Sequence, residues 1–251
     1  MRSYRLLLLV PFVLLSGCNA QKEISKEKAT EIVQKIIGNK EETPFVFTIT
    51  NKGAMGKGDD RVVIDLSYEY RYTSNGYYTF IKGQNGSINY DAEMYCVKNV
   101  KYDEVKFIRY FDKEKNDYVK AVEVAKDNEN YATAFADLGA YRTKSVLDYY
   151  VQVTAFFKEL YPTDTMKLYS SKDGQLEIVQ TSEDNISTPE DDETTIKGKS
   201  VYKYENYRFV SVDIDTKSNW GNTWRTIGKI DYTKVNVELP SDWESYLTLK
   251  A

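Results

Sequence analysis

The sequence predicts an α+β fold dominated by antiparallel β-structure: a curved meander sheet, or half-barrel, with a short N-terminal helix and a longer helix packed across it. Apolar and polar residues alternate with period two over 61–72, which is typical of a strand with one buried face. Similar short runs recur along the chain, separated by turn signals such as Asn75-Gly76. The 22 tyrosines suit half-buried strands, because each has an apolar body and a polar tip.

Two segments have the spacing of amphipathic helices. Ser25 predicts the N-cap of a helix over 26–37, which Gly38 ends. A longer helix is predicted over 145–161 and is stopped by Pro162. Its wide apolar face indicates that it lies across the sheet.

The rest of the sequence predicts strands and loops that belong to one domain. The predicted strands are 45–50, 61–72, 77–82, 92–97, 104–110, 118–125, 167–170, 175–180, 199–204, 207–216, 223–232 and 235–239. Residues 51–60 hold three glycines and predict a flexible loop, and the polar, acidic residues 181–199 predict an exposed one. No repeat or linker divides residues 25–251, so we expect a single sheet-rich domain.

The N-terminus has the pattern of an exported lipoprotein. Two arginines precede an apolar run over 6–15, half the roughly 20 residues that a membrane-spanning helix needs. Leu15-Ser16-Gly17-Cys18 then resembles the bacterial lipobox. The resemblance implies that residues 1–17 are a signal peptide, that Cys18 is diacylated as the first mature residue, and that residues 18–24 are a lipidated tether. It further implies a membrane partner and a place in the bacterial cell envelope, facing outside the cytoplasm, with inner or outer membrane left open.

Composition excludes several classes of function. The net charge is −4, and removal of the signal would take away Arg2 and Arg5, so nucleic acid is not an expected partner. The chain has no histidine, which excludes serine triads, Cys-His pairs and zinc sites with histidine ligands. After lipidation of Cys18 the only thiol would be Cys96, which is expected to be buried and inert, with no disulfide.

Three short motifs resemble functional patterns, and each has a simpler interpretation. Ser25-x-x-Lys28 resembles the motif of penicillin-binding enzymes, but the Ser-Asp-Asn and Lys-Thr-Gly companions are absent. The glycines of 53–58 lack the Walker spacing, and the acids at 191–193 and at Asp213 and Asp215 do not form a calcium loop. We therefore predict no catalytic residue, no metal ligand and no cofactor.

The order of elements resembles the half-barrel lipoproteins of the LolA and LprG/LppX type. The resemblance covers most of residues 20–245: an anchored cysteine, a short helix, hairpins, a long helix lying across, more hairpins, and a closing strand that ends in Leu239-Pro240. It implies an apolar cavity that carries acyl chains or senses envelope lipids. We expect two apolar strand faces on the concave side to line it: Ile64, Leu66, Tyr68, Tyr70, Val210, Val212 and Ile214.

Two hypotheses of function follow, with a third less favoured. The first is a lipid-anchored, non-catalytic binding module for a lipid or another apolar ligand. The alternative is an interaction or structural lipoprotein with a closed core and no ligand cavity. The space between the sheet and the helix over 145–161 distinguishes them, since a ligand needs several hundred Å³. An envelope hydrolase that uses acidic residues is the third hypothesis.

Overall fold

The structure is a computed structural model that describes residues 21–38, 44–56, 58–125, 165–186, 194–232 and 235–247. Its elements are β1 (Lys22–Glu23), α1 (Lys26–Gly38), β2 (Phe45–Met55), β3 (Val62–Thr73), β4 (Gly76–Asn85), β5 (Ile88–Asn99), β6 (Asp103–Asp112), β7 (Asp117–Ala125), β8 (Thr165–Ser170), β9 (Leu176–Ile186), β10 (Thr194–Glu205), β11 (Arg208–Ser218) and β12 (Thr223–Asp231), with 3-10 helices at Gly58–Asp60 and Trp243–Tyr246. No helix in these ranges is long and apolar enough to cross a bilayer.

The described strands form one open, curved sheet in the order β1-β8-β9-β10-β11-β12-β2-β3-β4-β5-β6-β7. Each strand pair is antiparallel, so β2–β7 and β8–β12 are two meanders joined through β12 and β2. The predicted antiparallel meander is therefore confirmed. The predicted signal peptide 1–17, Cys18 and the helix over 145–161 lie outside the described residues.

One face of the sheet, here called the helix face, packs against α1. Lys28 N–H donates to Ser25 Oγ at 3.3 Å, which confirms the predicted N-cap. The apolar stripe of α1 is at most 3% exposed and consists of Ala29, Ile32, Val33 and Ile36. It joins a core from seven strands: Phe45, Phe47, Ile49, Tyr70, Leu168, Leu176, Ile178, Tyr202, Tyr204, Phe209, Val212 and Ile230. Burial of this stripe, more than helix propensity, stabilises so short a helix.

The opposite face, here called the groove face, is covered at one end by the C-terminal segment 235–247. Val237 is 2% exposed and clusters with Tyr78 and Val97. Further along the segment, the ring of Tyr246 lies edge-on to Phe107, with 6.2 Å between their centroids. The two clusters thus lie on opposite faces of the sheet, the one beneath α1 on β2, β3 and β8–β12 and the one beneath the C-terminal segment on β4 and β5.

Four predicted segments differ from the structure in type, and some strands are longer than predicted, such as β5 against the predicted 92–97. Residues 51–55 are strand, because Gly53 allows close approach to β12: a Cβ there would lie 2.3 Å from Thr223 O. Residues 181–186 and 194–199 pair with each other as strands although both are polar. The predicted strand 235–239 forms no ladder, because its side chains cover the groove face instead. The predicted tether 18–24 includes β1, which pairs with β8.

Candidate functional site

The four cavity candidates of β3 share the helix face and are withdrawn from solvent. Tyr70 belongs to the core beneath α1, and Tyr68 packs against that core. Ile64 and Leu66 are only 3% and 6% exposed. The apolar face predicted for β3 is confirmed. That it lines a ligand cavity stays a prediction.

On β11 the predicted alternation is broken by a β-bulge. Tyr204 pairs with Phe209, and the register then shifts by one residue at Val210. As a result Phe209 and Val212, three residues apart, both lie in the core beneath α1, and Ile214 packs against it. The strict alternation is therefore wrong at Val210, which is only partly buried. The buried residue is Phe209.

The groove face changes along β3–β7 from a closed core to an open groove. Cross-strand neighbours on this face form three rows. The first lies beneath the C-terminal segment and consists of Tyr78, Tyr95, Phe107 and Val122. The middle row consists of Phe80, Glu93, Arg109 and Lys120, and the third, beside the groove, consists of Ser67, Lys82, Asp91, Phe111 and Tyr118. Because alternate residues of each strand reach this face, the three rows are stacked along the strands. The middle row separates the core from the groove.

Glu93 is the centre of the middle row. Arg109 Nε lies 2.7 Å from Glu93 Oε1, although its N–H is not directed for a hydrogen bond, so the contact is an ion pair. The hydroxyls of Tyr78 and Tyr95 each donate to Glu93 Oε2 at 3.3 Å. Burial, and then the Glu93 charge, raise the pKa of Tyr95 to about 12, and the pKa of Tyr78 is raised by the same causes. Both hydroxyls therefore remain protonated donors at neutral pH.

Arg109 and Asp91 together hold Tyr118 at the groove. The Arg109 guanidinium lies 4.6 Å from the centroid of the Tyr118 ring, and Tyr118 OH donates to Asp91 Oδ2 at 2.9 Å. The hydrogen bond to Asp91 is the main cause of the raised pKa of Tyr118. The ring of Phe111 meets Tyr118 edge-on, with 5.4 Å between centroids. Contacts on three sides thus fix the orientation of this ring.

The groove has a volume of about 660 Å³ and is open to solvent. It is lined by Asp65, Ser67, Phe80, Lys82, Gly83, Gln84, Asn89, Tyr90, Asp91, Phe111 and Tyr118. Phe111 and Tyr118 are 38% and 39% exposed. The lining therefore combines aromatic surface with carboxylate, amide and ammonium groups. Because the groove is open, water reaches these groups.

A second, smaller groove of about 390 Å³ crosses β10 and β11. It includes Lys197, Lys199 and Lys217. Lys217 lies 3.4 Å from Asp215, and Lys197 lies 3.2 Å from Glu183. Because these two ammonium groups already have carboxylate partners, the groove offers an anion less charge than its lysines suggest.

The acidic and thiol groups singled out in the sequence have ordinary surroundings where the structure describes them; the acids at 191–193 lie outside the described residues. Asp213 accepts from Arg225 at 3.0 and 3.3 Å, as a solvated acid would. Among the described residues no group of three or more histidine, cysteine, aspartate or glutamate side chains could hold a metal ion. Cys96 is buried, as predicted, and burial raises its pKa to about 12. Its thiol is therefore a poor nucleophile.

Sequence reasoning did not find the groove residues. Phe111 and Tyr118 flank the turn between β6 and β7 and pair across it. An aromatic residue on each side of a polar turn could have indicated this pair in the sequence. Asp65 and Asp91 lie beside Phe111 and Tyr118 only because of the register of three other strands, which the sequence does not reveal.

No protein-family model matches the chain, and no curated protein matches it. Among solved structures, the crystal structure of the ywiB protein from Bacillus subtilis is similar over 76% of this chain and 93% of that chain, with 12% sequence identity and a TM-score of 0.15.

Proposed function

We propose that this protein is a lipid-anchored, non-catalytic binding protein of the bacterial cell envelope whose ligand contacts the groove. The observation that carries the binding role is the groove lining itself. Partly exposed aromatic rings lie beside hydrogen-bonding groups, on a face that is held in place by a packed core and by the contacts of Glu93 with Arg109. Such a surface is pre-organised for a ligand.

The anchor is proposed from the lipobox that ends in Cys18. Lys22 already lies in β1, only four residues later, so the tether spans at most roughly 14 Å. An anchored chain would therefore hold the β1 edge of the sheet close to the bilayer surface. Two acyl chains on Cys18 would make that attachment stable.

A non-catalytic role is supported by the partners of the acidic side chains near the groove. Glu93 is engaged by Arg109 and two tyrosines. Asp65 accepts from Lys52 at 3.2 Å, and Asp91 accepts from Tyr118. Each of these carboxylates already has an ion-pair or hydrogen-bond partner within the protein, which favours a structural role for them.

The lipid-carrying form of this proposal places an apolar ligand on the helix face, with the helix over 145–161 packed across it. Close packing of α1 against Tyr70 and Val212 leaves Ile64 and Leu66 as the part of that face where an acyl chain would lie. The same close packing favours the alternative, an interaction lipoprotein with a closed core. We therefore place the ligand on the groove face.

Two measurements test the proposal. Radioactive fatty acid should label the wild type and not Cys18→Ala, and equal labelling of both would refute the anchor. Native mass spectrometry of the lipidated protein should then detect a co-purified ligand that is lost in Tyr118→Leu and kept in Leu66→Trp. The reverse pattern would place the ligand on the helix face and refute the groove as its site.

A further inference from the structure

We propose that the groove on β3–β7 binds a saccharide, with sugar rings stacked on Phe111 and Tyr118 and hydroxyls hydrogen-bonded to Asp91, Gln84 and Asn89. The inference rests on the proposed function, which supplies both the groove as the ligand site and, for its fourth argument, the anchor before β1. It adds the chemical class of the ligand, which four properties of the groove support.

The first property is shape. The groove crosses five adjacent strands, roughly 19 Å at the usual spacing between strands, and it is open along its length. A site for an acyl chain or a compact apolar molecule encloses most of its ligand. An open groove of this length instead suits a short stretch of an extended polar chain that stays partly in water.

The second property is the pair of exposed rings. A pyranose has apolar C–H faces, and an aromatic ring face is the surface that covers them while leaving the hydroxyls at the ring edge in reach of polar groups. Tyr118 is already oriented by Arg109 and Asp91, and Phe111 lies against it. Little side-chain entropy is therefore lost when a ligand stacks on this pair.

The third property is the balance of donors and acceptors. Asp65 and Asp91 only accept, Lys82 only donates, and the amides of Gln84 and Asn89 do both. A sugar hydroxyl can donate to the carboxylates, accept from the ammonium group and do either with the amides. With Asp65 already paired to Lys52, the lining carries little net charge. A polyanion or a cationic peptide would meet no complementary field.

The fourth property is distance from the anchor edge. The groove begins seven strands from β1 and ends at β7, roughly 35 to 50 Å away when measured along the sheet. An anchor before β1 would hold that edge at the bilayer and leave the groove at the other end of the sheet. A ligand in the aqueous envelope space is then in better reach than a bilayer lipid.

The test is isothermal titration of the lipidated protein in nanodiscs with two neutral tetrasaccharides, one of glucose and one of N-acetylglucosamine. We expect at least one to bind. Tyr118→Leu, which keeps apolar bulk and removes the ring face, should raise the Kd by about tenfold or more. Tyr118→Phe keeps the ring but loses the hydrogen bond to Asp91, so its Kd should rise by less than that of Tyr118→Leu. Tyr102→Phe, outside the groove, should leave it unchanged, and the melting temperature of each variant reports that it folds.

Four other outcomes overturn the inference. If neither tetrasaccharide binds while the co-purified ligand still maps to the groove, the saccharide assignment fails and the proposed function stands. If Tyr118→Leu binds as tightly as the wild type, the contact is not stacking on a ring. If a neutral peptide or a phospholipid vesicle binds through Tyr118 and the saccharides do not, the ligand belongs to that class. A ligand absent from the groove in every assay refutes the site and the inference together.

Discussion

At the scale of single residues, Glu93 links the closed and open parts of the groove face. The Glu93 side chain is 14% exposed and the side chain of its partner Arg109 is 35% exposed, so neither charge is fully hydrated. Arg109 reaches from Glu93 to the Tyr118 ring and so couples the core side of the face to the groove. The stability of this face therefore depends on the Glu93 charge.

Glu93→Gln tests this dependence. We expect it to lower the free energy of unfolding by about 2 kcal/mol, because Arg109 loses its counter-ion and two tyrosine hydroxyls lose a charged acceptor. Urea unfolding measures the change. Glu183→Gln is the matched control, since it removes a similar ion pair to Lys197 at an exposed site and should change stability by less than about 0.5 kcal/mol. Equal effects of the two substitutions would contradict the role of Glu93.

The raised pKa of Tyr95 predicts a loss of stability at high pH. Its pKa is about 12 in the folded protein against 10.0 for the free side chain. Its contribution is fully present below the unfolded pKa and is lost as the pH rises through the folded pKa, because the unfolded chain ionises first. Urea midpoints should therefore fall less steeply from about pH 10 to about pH 12 in Tyr95→Phe than in the wild type. Lysines titrate in both proteins, so parallel curves would show that Tyr95 makes no such contribution.

At the scale of elements, α1 is held by one apolar stripe. Ile32 lies in the middle of that stripe and is 3% exposed. We expect Ile32→Ala to lower the free energy of unfolding by about 2–4 kcal/mol, because it removes buried atoms and leaves a cavity against the sheet. Lys28→Ala, on the solvent side, should change it by less than about 0.5 kcal/mol. A small effect of Ile32→Ala in chemical denaturation would mean that α1 is only loosely docked.

The elements that the sequence predicted well are those with one buried face. The alternation over 61–72 indicated β3, and the spacing over 26–37 indicated α1, because burial of one face imposes a period on the sequence. The outer parts of β9 and β10 are polar on both faces, so they carry no such period although they pair. The bulge at Val210 was also hidden, since one inserted residue leaves no mark in composition.

At the scale of the whole molecule, a period shows that one side of a strand is buried but not which side of the sheet that is. The core beneath α1 and the core beneath the C-terminal segment lie on opposite faces. The apolar face of β3 could therefore be predicted from the sequence, whereas the groove on the opposite face could not. Its residues come from five strands, and only the register of those strands brings Asp65 and Tyr118 to one surface.

Leu66→Trp separates the two faces as ligand sites. Leu66 is 6% exposed on the helix face, so we expect a tryptophan there to overpack its surroundings and lower the free energy of unfolding by about 1–3 kcal/mol. A ligand in the groove should be unaffected, because Leu66 and the neighbouring groove residues Asp65 and Ser67 point to opposite faces of β3. The measurement is a melting scan of wild type and variant with and without fatty acid. Fatty acid that raises the melting temperature of the wild type and not of Leu66→Trp would instead show an acyl-chain site on the helix face. A wild type indifferent to fatty acid, with a variant that is destabilised, would rule out the carrier hypothesis.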